Sequence, residues 1–167
     1  MRDLQERRAL VPPLSTRGRQ AVVPLVAVVV IVADQISKSI ALDHLKLGVP
    51  VHVIGPVYWL LTLNKGAAFS MGTGVAPIVE AAVVVLIVGL LLFTRKARRA
   101  ASIPVAVGLG LLLGGALSNL GDRVFRDLNG SVVDFIQGVS WWPIFNVADS
   151  SVVIGVIVLL LTWRSGD

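Results

Sequence analysis

The sequence predicts an all-α polytopic membrane protein, with four transmembrane helices and a small extracytoplasmic β-sheet between helices 1 and 2. Of the 167 residues, 55% are hydrophobic and 15% are charged, and the mean hydropathy is +0.83. This composition lies well outside the average for soluble globular proteins. Four apolar stretches approach the roughly 20 residues that a helix needs to cross a bilayer. They lie at about 21–42, 75–93, 103–120 and 147–163.

The basic residues are distributed as the positive-inside rule requires. Most of the 15 lysines and arginines precede the first span, fill the short link between spans two and three, or follow span four. Because cytoplasmic segments carry the excess of Lys and Arg, both termini are predicted to be cytoplasmic. The connections 43–74 and 121–146 must then face outward. The net charge of +5 follows the membrane and gives no reason to expect a nucleic-acid partner.

Local composition predicts the remaining elements in order. Residues 1–20 combine charge with proline and glycine and are predicted to be a disordered cytoplasmic tail, followed by a single membrane-embedded domain at 21–165. The first span lacks a small-x-small cleavage site, which favours a retained helix over a cleaved signal peptide. β-Branched and aromatic residues at about 48–64 predict short strands. The glycine-rich segment 64–74 predicts a turn into span two.

Small residues line the third span. They form a surface along which another helix can approach closely. The set is Gly108, Gly110, Gly114, Gly115, Ala116 and Ser118. Helix packing accounts for these residues without any role in chemistry.

Asp34 and Lys38 are four residues apart near the outer end of the first span. Opposite charges at this spacing pair on one helix face, and a carboxylate embedded in a membrane needs such a partner. We interpret this pair as structural. A Ser–Lys dyad using Ser37 or Ser39 is an alternative, but adjacent helical residues diverge by about 100°, so neither serine faces Lys38 well. Glu80, near the outer end of span two, is more easily explained by snorkelling or by pairing with a neighbouring helix.

A second polar group lies at the outer mouth of the third span. Arg123 carries forked donors that could hold a carbonyl, a carboxylate or a phosphate, with Asn119 beside it. Alternatively, Arg123 is an ordinary interfacial arginine and Asp122 is its local counter-ion. The spacing alone leaves both interpretations open.

Two aspartates, Asp134 and Asp149, flank a tryptophan pair in the second outer connection. Asn146 is a natural N-cap for the fourth span, so an Asn-x-x-Asp capping box accounts for Asp149 without catalysis. Capping does not account for Asp134, which lies in the apolar segment "VVDFI" with no cation beside it. If the connection doubles back, the two carboxyls share a proton, because neighbouring carboxylates cannot both ionise comfortably. One could then activate water while the other donates to a scissile carbonyl.

The chain contains no cysteine, which excludes disulfides, thiolate nucleophiles and thiolate metal sites. Its two histidines, His44 and His52, are eight residues apart in the sequence and match no metal-ligand spacing. They are expected to be exposed residues of the first outer connection.

In combination, these motifs resemble those of the lipoprotein signal peptidase family, also called signal peptidase II. The resemblance extends from about residue 20 to 163. It rests on five segments in the same order: "DQISK" (34–38), "NKGAAFS" (64–70), "GGALSNLGDR" (114–123), "VVDFI" (132–136) and "FNVADSSVVIG" (145–155). Ser118 stands where a glycine is more familiar and Gly121 where a larger apolar residue is usual. Neither departure removes a proposed functional group.

The resemblance implies the same four helices, sheet and cytoplasmic termini, in a bacterial plasma membrane with the active site at the extracytoplasmic face. It implies that Asp134 and Asp149 are the catalytic aspartates of a membrane-embedded peptidase. The other motif residues divide into substrate-binding Asn64, Asn119, Arg123 and Asn146, and supporting Asp34, Lys38 and Asp122. Because Asp149 lies near a helix N-terminus, we expect it to be the more often ionised aspartate, with the shared proton on Asp134.

The implied substrate is a prolipoprotein whose lipobox cysteine already carries diacylglycerol, cut on the amino side of that cysteine. Burial of the acyl chains, at about 0.8 kcal/mol per methylene, would hold the cleavage point at the membrane surface. Membrane lipids are therefore expected partners. Sensitivity to the cyclic peptide globomycin follows, no metal or organic cofactor is needed, and a monomer is expected because the site needs one chain only.

Other classes of membrane protein predict different patterns. A small transporter or channel subunit would spread acidic groups across the bilayer depth, whereas here they fall toward one face. A non-enzymatic scaffold assembled through the third span leaves "VVDFI" and "NKGAAFS" unexplained. A different intramembrane aspartyl protease is disfavoured because residues 119–122 read Asn-Leu-Gly-Asp and lack the Gly-x-Gly-Asp pattern of such enzymes.

Overall fold

A computed structural model describes residues 16–65, 89, 102–139 and 141–163. The described segments include three helices and a three-stranded sheet. In chain order they are α1 (Thr16–His44), β1 (Val51–Ile54), β2 (Val57–Asn64), α2 (Ile103–Phe125), β3 (Val132–Gln137) and α3 (Val147–Trp163).

Two of the described helices are long and apolar enough to cross a membrane. These are α1, over Ala21–His44, and α2, over Ile103–Phe125, whereas α3 is a shorter apolar helix. At 1.5 Å per residue, the 24 residues of the first span reach about 36 Å, more than the roughly 30 Å of a bilayer core. The predicted second span at 75–93, which contains Glu80, lies outside the described residues, as does most of the predicted turn at 64–74.

The helix boundaries differ from those expected from hydropathy. α1 begins at Thr16, so the assignment of residues 16–20 to a disordered tail was wrong. Arginine and glutamine are good helix formers, and the helix therefore continues beyond its apolar stretch. The end of α2 also differs, because this helix extends to Phe125 rather than ending near residue 120. Its polar residues therefore lie in its last turns and not beyond its end.

α2 packs against both other helices through its glycines. A Cβ added at Gly114 would lie 2.8 Å from the carbonyl oxygen of Ala27 on α1, and one added at Gly115 would lie 2.5 Å from that of Ala148 on α3. The predicted close approach along the small-residue surface is confirmed, and it involves two neighbours rather than one. Gly108 lies against Leu159 whereas Gly115 lies against Ala148, so α3 runs antiparallel to α2.

The sheet is antiparallel, in the order β1-β2-β3. Strands β1 and β2 lie within the predicted segment 48–64. The third strand was missed: β3 comes from the connection after α2 and pairs with β2, with Thr62 opposite Asp134. A sheet formed only between helices 1 and 2 was therefore an incomplete description, because β3 is added by a pairing between segments about 70 residues apart.

Two apolar clusters are separated by polar side chains. The helical cluster contains Val23, Ala27, Ala106, Leu109 and Leu113, and the cluster beneath the sheet contains Ala41, Leu61, Val133 and Phe135. On α1 the buried face runs from Val30 through Asp34 and Lys38 to Ala41. The middle of one continuous helix face is therefore charged, and the polar side chains between the two clusters surround it.

We expect Gly115→Ala to weaken the contact between α2 and α3. The added methyl group would displace Ala148 and Ser151, and overpacking of this kind costs about 1–3 kcal/mol. The matched control is Gly121→Ala on the same helix, where an added Cβ meets nothing within 4 Å. In detergent, thermal unfolding should begin at lower temperature for Gly115→Ala and not for Gly121→Ala. Equal midpoints for the two variants would contradict this assignment.

Candidate active site

Buried polar residues collect at one end of the helices, where the sheet meets the carboxyl ends of α1 and α2 and the amino end of α3. Six fully or almost fully buried residues are linked there by hydrogen bonds or ion pairs: Asp34, Lys38, Ser118, Asp122, Asp134 and Asn146. Buried groups of this kind are stable only with hydrogen-bond or ion-pair partners. Their partners define the site.

Lys38 lies between two carboxylates. Its Nζ is 2.6 Å from Oδ2 of Asp34 and 2.8 Å from Oδ2 of Asp122, and all three side chains are fully buried. The predicted Asp34–Lys38 pair is therefore formed. The alternative Ser–Lys dyad is not, because Ser37 donates to the backbone carbonyl of Asp34 and Ser39 to that of Gln35.

Asp122 is not the counter-ion of Arg123. Besides Lys38, its carboxylate accepts hydrogen bonds from Arg126, at 3.0 Å, and from Gln35, at 2.8 Å. Arg126 and Gln35 were both missed as members of the site. Arg126 follows Asp122 by four residues, a spacing that could have indicated the pair. Gln35 gave no such signal, because its partners lie more than 80 residues away.

Ser118 also joins this network. Its hydroxyl donates to Asp34 at 2.8 Å and accepts from Gln35 at 3.1 Å. A serine at this position therefore adds a hydrogen bond between α2 and the buried carboxylate of α1, in addition to permitting close packing.

The predicted capping box at the start of α3 is present. The backbone N–H of Asp149 donates to Oδ1 of Asn146 at 2.9 Å, and the backbone N–H of Asn146 donates to Oδ2 of Asp149 at 3.2 Å. This reciprocal pairing fixes the Asp149 carboxyl at the helix N-terminus, where the helix dipole favours negative charge. The other oxygen of Asp149 accepts a hydrogen bond from the side chain of Asn119 at 2.8 Å.

Asp134 lies on β3 and is 2% exposed. One carboxyl oxygen accepts from Asn64 at 2.8 Å and the other from Asn146 at 2.7 Å. Asn146 therefore contacts both aspartates, with its amide on Asp134 and its backbone on Asp149. The structure brings buried Asp134 and partly buried Asp149 to the same polar layer, where one asparagine bridges them.

The surroundings of Asp134 stabilise its protonated form relative to that of an aspartate in water. Burial raises the pKa of the Asp134 carboxyl to about 6, and repulsion from Asp149 acts in the same direction. Hydrogen bonds from Asn64 and Asn146 stabilise the carboxylate and partly oppose this rise in the pKa. An ordinary aspartate has a pKa near 4, so Asp134 exchanges its proton much closer to neutral pH.

Asn119 and Arg123 lie one turn apart on α2 and have different surroundings. Asn119 is inside the network, because its oxygen accepts from Lys38 at 2.8 Å while its nitrogen donates to Asp149. Arg123 is half-buried, and its one hydrogen bond among the described residues goes to the backbone carbonyl of Asn119, at 3.3 Å. Arg123 therefore retains donors that this network does not use.

A groove adjoins Asp149 on the outside of the network. Its volume is about 300 Å³, and its other lining residues are Trp142, Phe145, Ser150, Val153 and Ile154. A mainly apolar groove with one carboxylate can accept an apolar chain and place one polar bond beside that carboxylate. Within the described segments, no group of three or more histidine, cysteine, aspartate or glutamate side chains is arranged to hold a metal ion.

The chain is similar to known proteins in sequence and in fold. The sequence profile of the family described as Signal peptidase (SPase) II matches residues 26–164. The chain is 41% identical to the lipoprotein signal peptidase of Mycobacterium leprae (strain Br4923) over 163 residues, covering 95% of this chain and 77% of that protein. It is 47% identical to the lipoprotein signal peptidase of Mycobacterium tuberculosis (strain ATCC 25618 / H37Rv) over 140 residues, covering 81% and 67%.

A solved structure extends the similarity to three dimensions. A bacterial membrane enzyme determined by the in meso method at 1.9 Å resolution matches with a TM-score of 0.75 and 32% sequence identity, covering 86% of this chain and 92% of that one. The fold is therefore similar to that of a membrane enzyme, and the resemblance inferred from the five sequence segments is confirmed. The chain belongs to the signal peptidase II family of lipoprotein signal peptidases.

Proposed function

We propose that this protein is an aspartic-type endopeptidase of the membrane that removes the signal peptide from diacylglyceryl-modified prolipoproteins. Cleavage falls on the amino side of the lipidated cysteine. The observation that carries the proposal is the bridging of Asp134 and Asp149 by Asn146 in one polar layer. Family membership supports the substrate class, because the relatives named above are lipoprotein signal peptidases.

The two aspartates divide the acid and base work. Ionised Asp149 takes a proton from a water molecule as the water oxygen attacks the scissile carbonyl carbon. At the same time, Asp134 gives its proton to the carbonyl oxygen. The resulting gem-diol collapses when Asp149 returns a proton to the leaving nitrogen, the C–N bond breaks and Asp134 recovers a proton from a diol hydroxyl. Both carboxyls then hold their starting protonation states, and one water has been consumed. No metal or organic cofactor takes part.

The side-chain amides of the site and Arg123 contact the substrate. Before substrate binds, the two carboxyls are held by the amides of Asn64, Asn119 and Asn146. These amides can exchange part of their hydrogen bonds with the peptide when it binds. Arg123 uses one of five guanidinium donors in the described contacts, which leaves others for a substrate carbonyl. The groove beside Asp149 receives the apolar segment of the signal peptide.

The proposed topology has four spans, both termini in the cytoplasm and the active site at the extracytoplasmic face of a bacterial plasma membrane. α1 and α2 run parallel, because Ala27 packs on Gly114 and Lys38 binds Asn119. The chain between them therefore has to return to the opposite end of the helices, which a span at 75–93 would do. A single chain supplies both aspartates, so a monomer suffices, with membrane lipids as its surroundings.

The decisive test uses the purified protein with a diacylglyceryl-modified prolipoprotein peptide and the same peptide unmodified. We expect cleavage of the modified peptide only. Asp134→Asn and Asp149→Asn should each reduce kcat by about 10³-fold or more, because each removes one of two coupled proton-transfer groups. Asp127→Asn, an exposed aspartate beyond α2, is the matched control and should retain activity.

Two results would refute the proposal. One is cleavage that persists in either folded aspartate variant. The other is proton or ion flux through liposomes containing the protein, with no cleavage of either peptide.

The pH dependence of kcat/KM should report the proton on Asp134. Activity is expected to fall as pH rises through about 6, because burial raises the pKa of Asp134 to that value and the general acid is lost above it. Asn64→Leu removes a hydrogen bond that stabilises the carboxylate, so the pKa of Asp134 should rise and the alkaline limb should move to higher pH.

Thr62→Val is the control for that shift. Thr62 lies on the same strand but donates to the backbone carbonyl of Asp134 and not to its carboxyl. The alkaline limb should therefore stay in place in this variant. A limb that moves to lower pH in Asn64→Leu would contradict the assignment of the acid.

A further inference from the structure

We propose that the buried ammonium of Lys38 is a positioning group for both Asp134 and Asp149. It acts through three hydrogen-bond acceptors: Asp34, Asp122 and Asn119. The inference rests on the proposed function, since it states how the two carboxyls of that site are held at a fixed separation. Lys38 itself contacts neither carboxyl among the described hydrogen bonds, so it acts only through its partners.

The first path leads to β3. Oδ2 of Asp122 accepts from Lys38 at 2.8 Å and also from the backbone N–H of Val133 at 3.1 Å. Val133 immediately precedes Asp134 and is fully buried. The peptide unit between Val132 and Val133, one residue before Asp134, is therefore held by a carboxylate that also binds the lysine.

The second path leads to α3 and has the same design. Oδ2 of Asp34 lies 2.6 Å from Lys38 Nζ, and its Oδ1 accepts from the backbone N–H of Ala148 at 2.8 Å. Ala148 immediately precedes Asp149 and is also fully buried. One lysine thus binds two carboxylates, and each carboxylate holds the backbone N–H of the residue that precedes one aspartate of the pair.

The third path runs through a side chain. Lys38 donates to Oδ1 of Asn119 at 2.8 Å, which orients that amide so that its nitrogen donates to Oδ1 of Asp149 at 2.8 Å. A reversed amide would present its NH₂ group to the ammonium and its oxygen to the carboxylate. An ammonium has three N–H donors and no acceptor, and the three paths use all of them.

This arrangement goes beyond what stability needs. Buried ion pairs can often be replaced by apolar side chains of similar volume without loss of stability. A catalytic geometry is less tolerant, because a displacement of about 1 Å can reduce a rate about 100-fold. The shared lysine couples the positions of β3 and α3, the two elements that carry the reacting carboxyls.

Three variants of the full-length protein test the inference with the diacylglyceryl peptide. In Lys38→Met, we expect kcat to fall about 100-fold while KM changes by less than about threefold, because the peptide contacts remain. The alkaline limb of the pH profile should also move upward, since the Lys38 charge lowers the pKa of Asp134. Lys46→Met, the same change at an exposed lysine, should match the wild type in all three quantities.

Asp34→Asn keeps the shape of the side chain but has one oxygen instead of two, so it can accept from Lys38 or from Ala148 and no longer links them. It should show the same split between kcat and KM, and it provides the measurement if Lys38→Met does not fold. Tryptophan fluorescence during thermal unfolding gives the folded fraction of each variant, to which kcat is normalised.

The possible outcomes separate this inference from the proposed function. If the wild type cleaves and both aspartate variants are inactive, but folded Lys38→Met or Asp34→Asn keeps kcat within about threefold of wild type, only the positioning role is overturned. An increase in KM with an unchanged kcat would also overturn the positioning role. If the wild type itself does not cleave the peptide, the proposed function fails first.

Discussion

The polar layer of the described structure is built around the buried ammonium of Lys38. A charge at 0% exposure is stable only when its donors are satisfied by oppositely charged or polar acceptors. Its carboxylate partners lie on α1 and α2, and their oxygens also bind the backbone of α3 and β3. One side chain therefore ties four elements together, and the polar layer is held between the apolar cluster of the helices and that of the sheet.

Asparagines extend this layer to the two aspartates without adding charge. An amide carries both donors and an acceptor, so it can satisfy an ammonium on one side and a carboxylate on the other. Asn119 does this for Lys38 and Asp149, and Asn146 joins Asp149 to Asp134. The amides hold the two carboxyls in place, and burial, together with repulsion from Asp149, raises the pKa of Asp134.

The location of the network bears on the class of protein. Every ion pair of the described residues lies at one end of the helices, whereas the opposite end of α1, α2 and α3 is joined by apolar and glycine contacts. A proton or ion pathway needs polar groups at successive depths, and the described residues do not provide that series. A site at one end, beside a sheet and an apolar groove, suits chemistry on a chain that enters from the membrane surface.

The sequence by itself determined the features that depend on near neighbours: the apolar stretches that became α1, α2 and α3, the Asp34–Lys38 pair at four residues, and the capping box of Asn146 with Asp149. The length of an apolar stretch and the spacing of residues along a helix set these features, and both can be read directly from the order of the residues. Only the tertiary structure decided that "VVDFI" is the third strand, that Asp122 serves Lys38 and Arg126 rather than Arg123, and that Asn146 bridges the aspartates. Those contacts join distant segments, and a buried polar group takes whichever partner the packing of helices and sheet brings within hydrogen-bond distance.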